Sequence, residues 1–137
     1  MRKEHAPKVS RKKDDIEFEI AFYESILKDT PDFIEALAAI GDLYTRVGLW
    51  QKGLDVDLKL SKLRPQDPMV FYNLACSHAL LGQAMTALST LIKAVELGYA
   101  DFDHLRQDSD LENLLKDAHV QEYIKKVEKK IRSSNQV

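Results

Sequence analysis

The side chains best suited to chemistry in this 137-residue chain gather in two places. Cys76 and His78 would pair a thiol with a base, and the stretch 101–119 strings together Asp101, Asp103, His104, Asp108, Asp110 and His119, a set of oxygen and nitrogen donors that suggests a metal site. Spacing argues against both. Residues two apart on a helix point to different sides, so Cys76 and His78 do not face one another there. The acidic run places Leu105 and Arg106 where a calcium loop needs an oxygen ligand and a glycine, and aspartates beside short helices more simply cap exposed backbone N–H groups. Because Cys76 is the single cysteine, neither an internal disulfide nor a multi-thiolate zinc site can form within the chain. The sequence has no glycine-rich phosphate loop, nucleophile elbow or dinucleotide fingerprint. The expectation is no catalytic residues, no metal and no cofactor, hence a protein that is not an enzyme.

Composition sets the frame in which such residues would be held. The chain is 45% hydrophobic and 31% charged, with 5 Gly and 4 Pro, as in a folded helical domain. No apolar run is long enough for a membrane helix, and residues 1–13 lack the apolar centre of a secretory signal, so a cytoplasmic protein with no membrane association is expected. The net charge of −2 hides segregation: residues 1–13 carry +5, residues 117–137 carry +2, and the middle is strongly acidic. Basic ends can meet phosphate, but the acidic middle opposes nucleic acid, and short Lys/Arg ends are ordinarily solubilising tails.

A repeat organises the middle. Shifting the sequence by 34 residues pairs Pro31 with Pro65, Gly48 with Gly82, Leu54 with Leu88, Lys59 with Lys93, Leu63 with Leu97 and Asp67 with Asp101. Within each unit the apolar spacing is helical, with Leu37, Ile40, Gly41 and Tyr44 stepping as Phe71, Leu74, Ala75 and His78 do. Alternation of period two never persists, so no sheet is expected. Gly48 and Gly82 fall where a helix stops, and Asp67-Pro68 offers an N-cap followed by proline at the first helical position. Ser109 and Glu112 have capping-box spacing. These signals predict helices over 14–28, 33–46, 50–63, 68–80, 84–97, a broken pair between 102 and 116, and 118–132.

Two such units, with Leu37, Ile40-Gly41, Tyr44, Gly53, Leu60 and Pro65 in the first and Phe71, Leu74-Ala75, Ala87, Leu91 and Ala94 in the second, resemble the tetratricopeptide repeat (TPR). Departures are Asp57 in place of an aromatic, His78 in place of tyrosine and Tyr99 in place of the closing proline. Asp57 is expected to reach solvent or a partner. The resemblance implies an all-α solenoid of helical hairpins, a right-handed superhelix, with a C-terminal helical cap. Its parts would be a basic, flexible tail over 1–13, a half repeat over 14–31, repeat one over 32–65, repeat two over 66–99, a degenerate repeat or cap over 100–132 and a flexible end over 133–137. On this reading the array begins half-way through a unit.

The resemblance further implies a concave face lined by the first helix of each unit, where such domains take a peptide or protein segment. The residues off the core stripe there are Glu35, Ala38, Ala39, Asp42, Thr45 and Arg46 in the first unit, and Met69, Tyr72, Asn73, Cys76, Ala79 and Leu80 in the second. Glu35 and Asp42 favour a partner carrying Lys or Arg, Tyr72 supplies rigid contact area, and Asn73 can bond a peptide backbone. TPR domains that clamp the carboxylate tails of heat-shock chaperones place Lys and Asn where this chain has Ala38 and Asp42. Only Asn73 matches that clamp, so a carboxylate tail is disfavoured. The expected function is a non-catalytic interaction module for a basic segment with an apolar anchor. The alternative is a self-assembly element, ahead of an enzyme or a nucleic-acid accessory protein. Phe71, Tyr44, Tyr23 and Trp50 stand at core spacing rather than as base-stacking platforms.

Overall fold

The computed structural model describes residues 6–135, with side chains from Lys13 to Ser134. Among the described residues every regular element is helical: α1 (Ala6–Asp29), α2 (Ile34–Arg46), α3 (Trp50–Leu63), α4 (Pro68–Leu80), α5 (Ala84–Glu96), α6 (Phe102–Gln107) and α7 (Ala118–Asn135), with 3-10 turns at Ser109–Leu111 and Leu114–Lys116. The chain divides into two compact units, one ending at Leu63 and the other beginning at Arg64, beside the Pro65 that closes the first repeat. The all-α, hairpin-repeat fold class is the one expected. Helix α1 starts at Ala6 rather than near residue 14, so of the tail expected over 1–13 only residues 1–5 lie outside the described residues.

In the first unit α2 packs against both α1 and α3. One face of α2 is closed by the buried Ala36, Leu37, Ile40, Gly41, Leu43 and Tyr44, while α3 buries Leu54 and Leu60 and α1 buries Ile16. The helices cross where side chains are smallest. A Cβ on Gly53 would stand 3.1 Å from Thr45 Oγ1, and one on Gly41 would stand 3.3 Å from both Val56 Cγ1 and Asp57 Oδ1. That gap at Gly41 also accommodates Asp57, which is buried against α2 and does not reach solvent, the first of the two outcomes expected for it. Tyr44 ties α2 to α1 by donating its hydroxyl to Glu24 Oε2 at 2.6 Å, and Lys59 reaches the Pro31 carbonyl and the Asp32 carboxylate at 2.8 and 3.0 Å. Trp50 is 40% exposed, because it opens α3 instead of facing the crossing.

The turns repeat as faithfully as the helices. Leu49 N–H donates to the Tyr44 carbonyl across Gly48, and 34 positions later Gln83 N–H donates to His78 across Gly82, both at 2.9 Å. Gly48 and Gly82 hold φ of +82° and +76°, the left-handed region that glycine enters without a Cβ penalty.

In the second unit α4 and α5 form the corresponding hairpin. Asp67 caps α4 by accepting from the N–H groups of Met69 and Val70 at 2.9 and 3.4 Å, with Pro68 in the first turn. Its core joins Leu91 and Ala94 of α5 to Phe102, Leu105, Leu111, Leu114, Val120 and Ile124 from the segments that follow. His78 is buried on the core stripe with Nδ1 at 2.6 Å from Gln83 Oε1. The 3-10 turn near 109 is capped by Asp108, whose Oδ1 accepts from Asp110 N–H at 3.0 Å, so Asp108 takes the role expected of Ser109.

Candidate functional site

The exposed edge of α2 is built by the same periodicity that builds its core. With Leu37, Ile40 and Tyr44 turned inward, Glu35, Ala38, Asp42 and Arg46 stand at the edge towards solvent, and Ala39 and Thr45 are more enclosed at the margin. Asp42 and Arg46 form an ion pair one turn apart at 3.0 Å. Thr45 is engaged internally, its hydroxyl donating to the Gly41 carbonyl at 3.0 Å. The row thus offers one carboxylate at Glu35, an ion pair whose base a partner's base can replace at small cost, and a methyl-lined strip at Ala38. An exposed pair at this spacing contributes only about 0.3–0.5 kcal/mol.

The corresponding edge of α4 is different. Met69 and Asn73 are exposed and Ala79 and Leu80 half-buried, but Tyr72 is 2% and Cys76 6% exposed. Neither is available as the open inner-face contact expected of it. The segment after α5 folds over them. The Tyr72 ring stacks on Tyr99 with centroids 4.3 Å apart, and its hydroxyl donates to Asp108 Oδ2 at 2.6 Å. The same carboxylate oxygen accepts from the Cys76 thiol at 3.7 Å and lies 3.4 Å from His104 Nε2. Spacing alone misses this role of Asp108, because Tyr72 and Cys76 lie over thirty positions back in the chain. Tyr99, an aromatic in place of the closing proline, is the one signal in the sequence that something would stack there.

Chemistry at this cluster is restrained by burial. Desolvation first, then the Asp108 hydrogen bond, pushes the Tyr72 phenol far above its ordinary range. Burial, followed by the charges of Asp108 and Asp110, likewise pushes the Cys76 thiol up. Burial raises Tyr99 to about 12, partly opposed by Tyr72. Cys76, Asp108 and Asp110 bring possible ligand atoms within 4.8 Å of one another. In this arrangement the Cys76 thiol acts as a donor to Asp108. His119 sits elsewhere, exposed at the start of α7, where Asp117 Oδ1 accepts from its backbone N–H at 2.8 Å.

Two further features escape the reading of spacing. Phe18 and Phe22, one turn apart on α1, are 73% and 53% exposed. On α7, the Glu128 carboxylate is held between the Arg106 and Arg132 guanidiniums, and the hydrogen bond from Arg106 is the largest cause that lowers its pKa.

Paired helices repeating at 34 residues, small residues at the crossing and a left-handed glycine after the first helix of each pair define one class of protein. The chain has the tetratricopeptide-repeat fold. No protein-family model matches it. A 57-residue stretch, 41% of the chain, is 44% identical to a chloroplastic protein of Arabidopsis thaliana, and 52 residues are 40% identical to "Protein CTR9 homolog" of the same plant. These stretches span 17% and 5% of the two plant proteins. Among solved structures, a MamA protein superposes with a TM-score of 0.69 over 88% of this chain and 64% of its own, at 20% identity. A likeness at that identity shows the fold. Among the described residues no helix is long and apolar enough to cross a membrane.

Proposed function

We propose that the chain is a non-catalytic interaction module that holds a segment of a partner protein against the exposed row of α2, working in the cytoplasm. The observation that carries this reading is the contrast between the two faces of α2. One is locked by core packing on both sides and the other presents Glu35, Ala38, Asp42 and Arg46 at fixed helical spacing. A receptor face already ordered loses little conformational entropy on binding, so more of the contact energy appears as affinity. The acids of this row, with Ala38 between them, suit a segment bearing Lys or Arg beside a small apolar anchor. On α4 the reading is confined to Met69 and Asn73, since Tyr72 and Cys76 are covered.

A fluorescent peptide library that varies Lys/Arg content around one apolar residue tests this by anisotropy. Basic members are expected to bind and their acidic counterparts to fail. Asp42→Lys should weaken the best binder about tenfold, the size of one lost favourable pair with an added repulsion, about 1.4 kcal/mol. Binding that ignores both Asp42→Lys and Ala38→Arg would place the partner on another surface. A second reading, self-assembly, is favoured by a different observation, the exposed aromatic pair on α1.

A further inference from the structure

Helix α1 turns Ile16, Ile20, Tyr23, Ile26 and Leu27 away from solvent, a stripe stepping by three and four along the helix that α2 packs against. Phe18 and Phe22 lie off that stripe, exposed, with Asp14, Asp15 and Asp29 exposed on the same side of the helical wheel. Two neighbouring phenylalanines in water forgo the favourable free energy that burial of their rings would return. The surroundings set the sign of what could cover them: residues 14–29 hold six acids and one base.

The chain itself carries the complement. Helix α7 exposes Lys125, Lys126, Lys129 and Lys130, and beside Lys126 and Lys130 runs an apolar line of Tyr123, Val127 and Ile131 that packs inward on the second unit's core and leaves its outer edge half-exposed. Tyr123 and Val127 are four residues apart, as Phe18 and Phe22 are, so the two helices match in apolar pitch and oppose in charge. Glu128, the acid on the inner side of α7, is already neutralised by Arg106 and Arg132.

We propose that the acidic, aromatic face of α1 is an interaction surface that takes the Lys-rich flank of α7 from a second copy of this chain. The proposal rests on the self-assembly reading and gives it a mode, while using none of the α2 residues. Because the two patches differ, the contact is heterologous, and each copy keeps one patch unsatisfied until a ring closes or a filament grows.

Sedimentation equilibrium with three proteins tests it: wild type, a Phe18→Glu/Phe22→Glu variant and a Lys126→Glu/Lys130→Glu variant. All the substituted side chains are exposed, with Phe22 also edging Tyr23, and matching circular dichroism checks that the variants fold. Wild-type mass should rise with concentration between about 5 and 500 µM, the range of weak protein contacts, and less so when salt goes from about 0.05 to 0.5 M. Each variant alone should stay a single copy. An equimolar mixture of the two should form a one-to-one pair and stop, since one retains only the α7 patch and the other only the α1 patch. A wild type that remains a single copy throughout overturns both this contact and self-assembly. Assembly that survives the Phe18→Glu/Phe22→Glu change, or a mixture that never pairs, overturns this contact and leaves self-assembly through another surface standing.

Discussion

At Tyr72 one hydroxyl joins two stretches of chain that lie 36 positions apart. The ring is fixed by Tyr99, so Tyr72→Phe keeps the stacking and removes only the donor to Asp108. Hydrogen bonds to charged groups are worth about 1.5–3 kcal/mol, and urea unfolding should show a loss in that range. Tyr72→Ala, which also empties the stacked position, should cost more, about 3–5 kcal/mol. The raised pKa values make a second prediction. A group that is neutral in the native state and ionises more readily when unfolded adds stability that is complete below its unfolded pKa and is lost as pH rises towards its folded value. For Cys76 and Tyr99 the window opens near their ordinary values of about 9 and 10 and, for Tyr99, closes near 12. Urea midpoints should therefore hold steady to about pH 8.5 and fall beyond it. A flat profile to about pH 11 would show that these groups are hydrated in the native state. The sequence could not place Tyr72 or Cys76 correctly, because both sit off the stripe of Phe71, Leu74, Ala75 and His78. Period reports which way a residue points on its own helix and is silent on what returns from position 108 to cover it.

Elements were far more legible, for a physical reason: their signals are local. The left-handed stop at Gly82, the Asp67-Pro68 start of α4 and the small residues at the α2 and α3 crossing each act through neighbours in the chain or through a repeat seen twice. Gly82→Ala meets nothing within 4 Å, so its cost is purely conformational, about 1 kcal/mol from forcing φ of +76° on an L-residue. Gly53→Ala differs in kind, for its Cβ would press on Thr45 Oγ1 at 3.1 Å and force a shift in a hydroxyl already bonded to Gly41. Gly53→Val has no such escape and should cost about 1–3 kcal/mol as overpacking. Thermal unfolding of the three variants should rank Gly53→Val the least stable. Where element reading failed, the local signal was outweighed or lacking. The Lys-rich stretch before residue 14 has no apolar period to announce a helix, yet α1 begins at Ala6 with Pro7 tolerated in its first turn. Near 109, two competing caps stand side by side, and the aspartate one residue earlier becomes the cap that Ser109 was expected to be.

For the molecule as a whole, stability in a repeat protein comes from each hairpin lending its neighbour a covered face, and the last hairpin needs something other than another repeat. In the second unit that part falls to α7, whose Val120 and Ile124 enter the core with Leu91, Leu105, Leu111 and Leu114. The outer side of α7 is given over to lysine, so the same helix closes the core and meets water. This division of faces was readable in the spacing of Tyr123, Ile124, Val127 and Ile131. The salt link from Glu128 to Arg106 of α6 was not, since it depends on where α6 comes to rest. A chain stopped after Asp117 should lose the cover over Leu105, Leu111 and Leu114. Losing several buried aliphatic contacts, at about 1.5–3 kcal/mol per side chain, exceeds what a marginal unit of this size can spare. Hydrogen exchange should then find the amides of α4 and α5 weakly protected, where the full chain protects them. Glu128→Gln, which keeps the helix and removes only the charge between two arginines, should leave that protection nearly intact and soften the loss of stability as pH falls through the lowered carboxylate pKa. Full protection of α4 and α5 in the shortened chain would mean that the hairpin closes its own core and that α7 is present for its lysines alone.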